Sequence, residues 1–298
     1  MNSNWRETVS RPTPYTRTEM RVPVAEFASK VRGADHEVDL FGAAMVIAGL
    51  GGRTPDEHAV AATLDGFGEA VRARAGENAG TLSLIEAIDH ELFAVGGFHG
   101  NTDAYGDAEN SYLDKVVERR TGIPITLSLV YMEVAQRVGL RCDGVGYPGH
   151  FIVRCGEPGE DAVYLDPFQQ GARLDQGELI ATLRGLDLKG ATPESFLCAV
   201  TRRQILTRML NNLRGVYREA KDMERWHASV ELALVLEPWN IALTGERGML
   251  SYRLGDTAGA LIDLERYVEA TGRPRVSAGA LRLLDELRAH EHGKEESR

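Results

Sequence analysis

The sequence predicts an α+β protein, in which helices and a small antiparallel sheet share one core and an all-α region follows. Three observations carry that class. Apolar residues recur at helical spacing through most of the stretch from Val22 to Val138, with Gly and Pro marking the stops. Three short runs, near Asp143 to Tyr147, His150 to Cys155 and Ala162 to Leu165, then take on strand character, close enough together for an antiparallel meander. Beyond Gln204 the pattern is helical again and stays so.

Taken in order, residues 1–20 are polar, hold Pro12 and Pro14, and read as an irregular arm. Val22 to Arg32 and Val38 to Leu50 read as helices, the second stopped by Gly51 and Gly52. Thr54-Pro55-Asp56-Glu57 reads as a helix start, with Thr54 as the capping hydroxyl and Pro55 at the first position of a helix running to Ala75. Leu82 to Val95 is another helix, followed by a Gly-rich loop. Asn110 or Ser111 is placed as the next cap, with Asp114 as a capping-box partner, in a helix ending near Arg120. Ile125 to Val138 is apolar on most sides, the mark of a central buried helix, and Gly139 closes it.

After the strands, Arg173 to Ser195 is less regular, and a domain boundary is placed near 196–203. Helices then cover Gln204 to Ala220, Met223 to Leu236, Ile241 to Leu254, Thr257 to Ala270 and roughly Ser277 to His290. Asp222 and Asp256 open equivalent helices about 34 residues apart, the length of a tetratricopeptide helix pair. Ala260 sits where such a repeat wants a small residue, whereas Trp226 holds that place one period earlier. The organisation expected is an arm over 1–20, a core over 21–200, a helical region over 201–290 and a charged tail over 291–298.

Composition narrows the function classes. A chain of 298 residues, 43% apolar and 26% charged, buries a sizeable core. A formal charge of −10 argues against a nucleic-acid groove. The nearest approach to a basic patch is Arg202, Arg203 and Arg208, read as a solvated helix face. Cys142, Cys155 and Cys198 fit no metal spacing and form no disulfide framework. No signal-peptide core and no apolar run near ~20 residues is present, so a cytoplasmic protein without membrane or nucleic-acid partners is expected.

The chemistry-bearing residues cluster between Asn110 and Phe168. His150 follows the turn-forming Pro148-Gly149 and opens an apolar strand, while Asp166 ends the next strand just before Pro167. Side by side, the carboxylate could hold one imidazole nitrogen and leave the other free for base work; alternatively the pair merely closes the sheet. Candidate nucleophiles are weaker. Thr126 and Ser128 lie in the first turns of the central helix, where a hydroxyl more often bonds a backbone carbonyl. Cys142 and Cys155 read as small packing residues on strands. His90 and His99 have no ligand-spaced partners, so neither metal nor cofactor is expected.

The strings NSYLDKVVERRTGIPITLSLVYMEVAQRVGL, GYPGHFIVR and YLDPFQQGARL, with GFHGN before and LTRMLNNLRGVY and ALIDLERYVE after, resemble the bacterial transglutaminase-like core 2 proteins of the SirB type. The resemblance covers most of the chain from Val38. It implies a papain-like transglutaminase core, with Cys at a helix start and then His and Asp on successive strands, followed by tetratricopeptide-like helices. PGHF places the histidine at His150 and YLDPF the aspartate at Asp166. Asn110, Tyr147 and Phe168, within the same matched strings, are taken as binding residues. The cysteine is the departure: the expected position falls on Pro124 to Thr126, none of which is Cys. An alcohol without a strong base is a far poorer nucleophile than a thiolate.

Three functions follow from these residues. The first is a catalytically silent transglutaminase-like scaffold whose C-terminal helices bind a protein or peptide. The second is a hydrolase or amide-transfer enzyme using Thr126, Ser128 or a repositioned Cys142 with His150 and Asp166. The third is an adaptor that works through the C-terminal helices alone.

Overall fold

A computed structural model describes residues 22–295, apart from 158, 160, 161 and 189, with side chains as far as residue 291. The expected arm over 1–20 and the end of the charged tail lie outside the described residues. The chain divides into two compact units, one over Glu26–Val216 and one that includes Tyr217–Arg298.

The first unit opens with α1 (Val24–Lys30), α2 (Leu40–Ala48), α3 (Glu57–Ala75) and α4 (Thr81–Asp89), the last continued by a π turn over His90–Val95. The cap of α3 is Asp56 rather than Thr54: its carboxylate accepts from the Ala59 N–H at 3.0 Å. A carboxylate at that position also favours the positive end of the helix dipole. Two short strands, β1 (His99–Gly100) and β2 (Thr121–Gly122), pair in parallel on either side of α5 (Leu113–Arg119). Asn110 and Ser111 do not cap α5. They lie in a 3₁₀ turn, and Tyr112 occupies the cap position. Asp114 instead takes both carboxylate bonds from Arg53, at 2.6 and 2.7 Å, because an ion pair between elements outcompetes a local capping box.

The central helix is α6 (Pro124–Arg137), with Pro at its first position and Gly139 in the left-handed region after it, φ 74°. Ile125, Leu127, Leu129, Val130, Tyr131, Val134 and Ala135 are all 2% exposed or less, as a helix apolar on most sides requires. Sheet strands β3 (Cys142–Val145), β4 (Ile152–Cys155), β5 (Val163–Asp166) and β6 (Ala172–Leu174) form an antiparallel meander in sequence order. Val145, Ile152 and Tyr164 pack on one face with Leu197, joined by Leu179 and Ile180 of α7 (Gln176–Leu183). Val153 and Leu165, cross-strand partners with no exposure, turn to the opposite face, where α6 packs on β3 and β4.

Three expectations change here. Strand β6 and helix α7 occupy the segment read as less regular; α7 is capped by Asp175, but its apolar residues are too few for a clear periodicity. The expected strand from His150 begins at Ile152, because Gly149 has φ 73° and the His150 N–H bonds back to the Tyr147 carbonyl at 3.0 Å, outside the ladder. Cys142 and Cys155 are not separate packing residues. They stand directly opposite in the β3–β4 register and are paired as a disulfide, while Cys198 is free and exposed.

Helix α8 (Arg202–Ala220) begins in this unit. Its basic first turn is not a solvated face: Asp35 accepts from the Arg202 and Arg203 N–H groups at 2.9 and 3.1 Å. Their guanidinium groups in turn donate to the carbonyls of Val38, Val31 and Gly33 at 2.6–2.7 Å.

The second unit holds α9 (Met223–Leu236), α10 (Ile241–Arg253), α11 (Thr257–Thr271) and α12 (Ala278–Glu295). Asp222 and Asp256 cap equivalent helices by accepting from Arg225 and Gly259, and the residues before them, Lys221 and Gly255, both have positive φ. Helices α10 and α11 cross closely: a Cβ on Gly248 would lie 3.0 Å from Asp263 Cβ, and Ala260 is fully buried. Trp226 is accommodated by donating its indole N–H to Glu246 at 2.5 Å. Leu264, Val268, Val276 and Leu284 continue this core.

Candidate functional site

The site is built where the sheet's turns meet the start of α6. Asp166 ends β5 and is 1% exposed. Its Oδ1 accepts from the N–H groups of Phe168 and Gln169 at 3.0 and 3.4 Å, capping the 3₁₀ turn over Pro167–Gln169. Its Oδ2 lies 2.8 Å from Nε2 of His150. The imidazole is thus held by one nitrogen, and among the described residues Nδ1 makes no hydrogen bond. The His150 side chain is 28% exposed, so the pair sits at a surface rather than in the core. That arrangement can orient a base; what it acts on depends on the groups around it.

Thr126 does not turn towards the imidazole. It is fully buried, and its hydroxyl donates to the Asn110 carbonyl at 2.7 Å, with the Ile123 carbonyl oxygen 3.1 Å away. The same oxygen accepts from the Ile123 N–H at 3.2 Å, satisfying one of the orphan donors at the start of α6. Ser128 is also fully buried, with Oγ 3.5 Å from the Phe151 carbonyl oxygen. Cys142 is engaged with Cys155.

The three residues taken as binding groups part company. Asn110 has no exposure. Its Nδ2 donates to the carbonyls of Ala104 and Tyr105 at 2.8 and 3.3 Å, and its Oδ1 accepts from Asn101 at 2.9 Å. It holds the 101–107 loop in place. Tyr147 donates its hydroxyl to the Leu179 carbonyl at 3.0 Å and fastens α7. Phe168 alone stands against His150, ring centroids 6.1 Å apart and nearly perpendicular. Its other neighbour is Tyr105, at 6.2 Å, which is 54% exposed. Gly100 permits this stack, since any Cβ there would lie 2.5 Å from the Phe168 ring.

Reading the chain alone did not single out Tyr105, Gly100 and Arg208 as site residues. Arg208 donates from Nη2 to the His150 carbonyl at 2.6 Å. The only local signal for the first two was the Gly-rich loop itself. Nearby, burial pushes the Asp89 carboxyl up to about 6, while the Tyr131 hydroxyl donates to it at 3.0 Å. Among the described residues no group of three His, Cys, Asp or Glu side chains is placed to hold a metal ion.

A central helix packed on an antiparallel meander, with His150 and Asp166 joined at the strand ends, defines a transglutaminase-like core carrying helical repeats. The chain belongs to the Transglutaminase-like superfamily (core 2), whose profile matches residues 58–211, and a tetratricopeptide repeat profile matches 213–285. It is 39% identical over 191 residues to a UPF0162 protein of Xylella fastidiosa (strain Temecula1), covering 62% of this chain and 67% of that one. A UPF0162 protein of Vibrio cholerae is 28% identical over 187 residues, covering 62% and 68%. F-box only protein 21 of Mus musculus is 31% identical over 198 residues, 61% of this chain and 31% of that protein. No solved structure matches. Among the described residues no helix is long and apolar enough to cross a membrane.

Proposed function

We propose that the chain is a binding scaffold. In this reading the transglutaminase-like core keeps the His150–Asp166 pair as part of a ligand-binding surface and has lost acyl transfer, while the repeat region offers a second surface to a protein partner. One observation carries it: the Thr126 hydroxyl, at the helix start where the resemblance expects a nucleophile, is buried and donated to the Asn110 carbonyl at 2.7 Å. A nucleophile must present its oxygen to the base within hydrogen-bond reach, and this one is held by the backbone instead. Helical repeats stack into extended faces suited to protein docking, which supports the second half of the reading.

The test is a comparison of the purified wild-type chain with His150→Ala, using an activated acyl ester and an electrophilic acyl probe. Equal turnover and labelling are expected. Turnover that needs His150, in a variant with an unchanged melting profile, returns the protein to the enzymes.

A further inference from the structure

Arg208 of α8 lies against the turn that carries His150. Its Nη2 reaches the His150 carbonyl at 2.6 Å and the Tyr147 carbonyl at 3.4 Å, with the guanidinium 5.5 Å from the Phe151 ring centroid. The turn that it touches already has its own closing bond, from the His150 N–H to the Tyr147 carbonyl, so a cation is not needed to form it. Among the described residues no carboxylate pairs with the Arg208 guanidinium, which donates to main-chain carbonyls instead. Burial pushes its pKa down, as expected of a cation partly stripped of water with no counter-ion. Its remaining N–H groups make no bond to protein among the described residues.

Beside the His150 ring lies an aromatic ledge. Phe168 stacks edge-on to the imidazole, and the exposed ring of Tyr105 stacks on Phe168. The Asn101–Asn110 pair holds the loop that presents Tyr105. The imidazole is thus flanked by Phe168 and, through it, by Tyr105, while Arg208 holds the main chain of the same residue and interacts with Tyr105.

We infer that this face binds a peptide carboxylate adjoining an apolar side chain, with Arg208 taking the carboxylate and Phe168 and Tyr105 taking the apolar group. The inference rests on the reading of the His150 surface as a binding site. An arginine fork suits a planar carboxylate. A dianionic phosphate is disfavoured, because one cation stands against the carboxylate of Asp166, on a chain of formal charge −10.

The full chain would be titrated by calorimetry and by amide NMR shifts with four probes: N-acetyl-phenylalanine, its amide, N-acetyl-aspartyl-phenylalanine amide, and inorganic phosphate. The free acid is expected to bind about tenfold more tightly than its amide, a difference that Arg208→Gln removes. Tyr105→Ala, which leaves Arg208 in place, should weaken the acid by about threefold or more. If the aspartyl amide matches the free acid, the carboxylate comes from an acidic side chain; if it matches the plain amide, it comes from a peptide C-terminus. Should Arg208→Gln misfold, as judged by circular dichroism, Arg208→Lys keeps the charge without the fork and should bind the acid more weakly. Equal binding of acid and amide overturns the inference. So does unchanged acid binding in folded Arg208 variants, phosphate binding tighter than the acid, or no binding of any probe up to its solubility limit. His150-dependent hydrolysis of N-acetyl-phenylalanine methyl ester would remove the non-catalytic reading while leaving the carboxylate site standing.

Discussion

The hydroxyl of Thr126 and the main-chain carbonyl of Asn110 are joined at 2.7 Å, across sixteen residues of sequence and wholly within the core. This bond links the first turn of α6 to the loop network beneath Tyr105. It also removes the hydroxyl best placed by sequence to act as a nucleophile.

Thr126→Val should therefore destabilise the chain by about 1–2 kcal/mol, the cost of leaving a buried carbonyl and a helix-start N–H unsatisfied. Thr126→Ser should recover most of that loss. Urea denaturation of the three proteins decides it. A valine variant as stable as wild type would show the bond to be incidental.

The two members of the His–Asp pair should differ in weight. Asp166→Ala strips the 3₁₀ turn of its cap and leaves two N–H donors without partners, and should cost about 2–3 kcal/mol. His150→Ala, at a partly exposed side chain, should cost about 1 kcal/mol or less. The reverse order in denaturation midpoints would mean that the imidazole, not the cap, holds the turn.

Asn110→Ala should loosen the 101–107 loop, with a loss of about 2–3 kcal/mol and faster limited proteolysis there. Asn110→Asp should be at least as damaging, because it turns an oxygen towards the carbonyls of Ala104 and Tyr105. Mass spectrometry of early cleavage sites reads the effect. Cuts elsewhere would sever the proposed link between Asn110 and Tyr105.

Asp89 gives a pH dependence with a definite sign. Burial raises its folded-state pKa from 3.8 to about 6, so the folded chain holds this proton more tightly than the unfolded one. The associated stability is complete below about pH 3.8 and is lost as pH rises through about 6. Asp89→Asn keeps an acceptor for Tyr131 and removes the charge. With allowance for the group's partial exposure, it should stabilise the chain by ~1 kcal/mol at about pH 7.5 and by nearly nothing at about pH 3.5. Parallel melting curves at the two pH values check both halves.

In the repeat region Arg247 donates two bonds to the buried carboxylate of Asp263, at 2.7 and 2.8 Å. Asp263→Ala leaves a half-buried guanidinium unpaired and should cost about 2–3 kcal/mol. The melting of residues 217–295, followed by hydrogen exchange, is the readout. Protection unchanged in α10 and α11 would place the pair's role elsewhere.

Much of this architecture was legible along the chain, because its determinants are local. Apolar spacing set α6 and the C-terminal helices, Gly139 marked a stop, and Asp222 and Asp256 stand where helix caps recur. His150 and Asp166 were findable because a Pro-Gly turn and an Asp-Pro step mark the ends of neighbouring strands. What packing decided was which side chain meets which partner from a distant element. Asp114 prefers Arg53 over its own helix cap, Cys142 finds Cys155 through strand register, and Thr126 turns to Asn110 rather than to His150. The stacking of Phe168 between Tyr105 and the His150 ring, and the reach of Arg208 to the His150 carbonyl, are of the same kind. Those pairings depend on the separation and angle of whole elements, which no window of neighbouring residues contains.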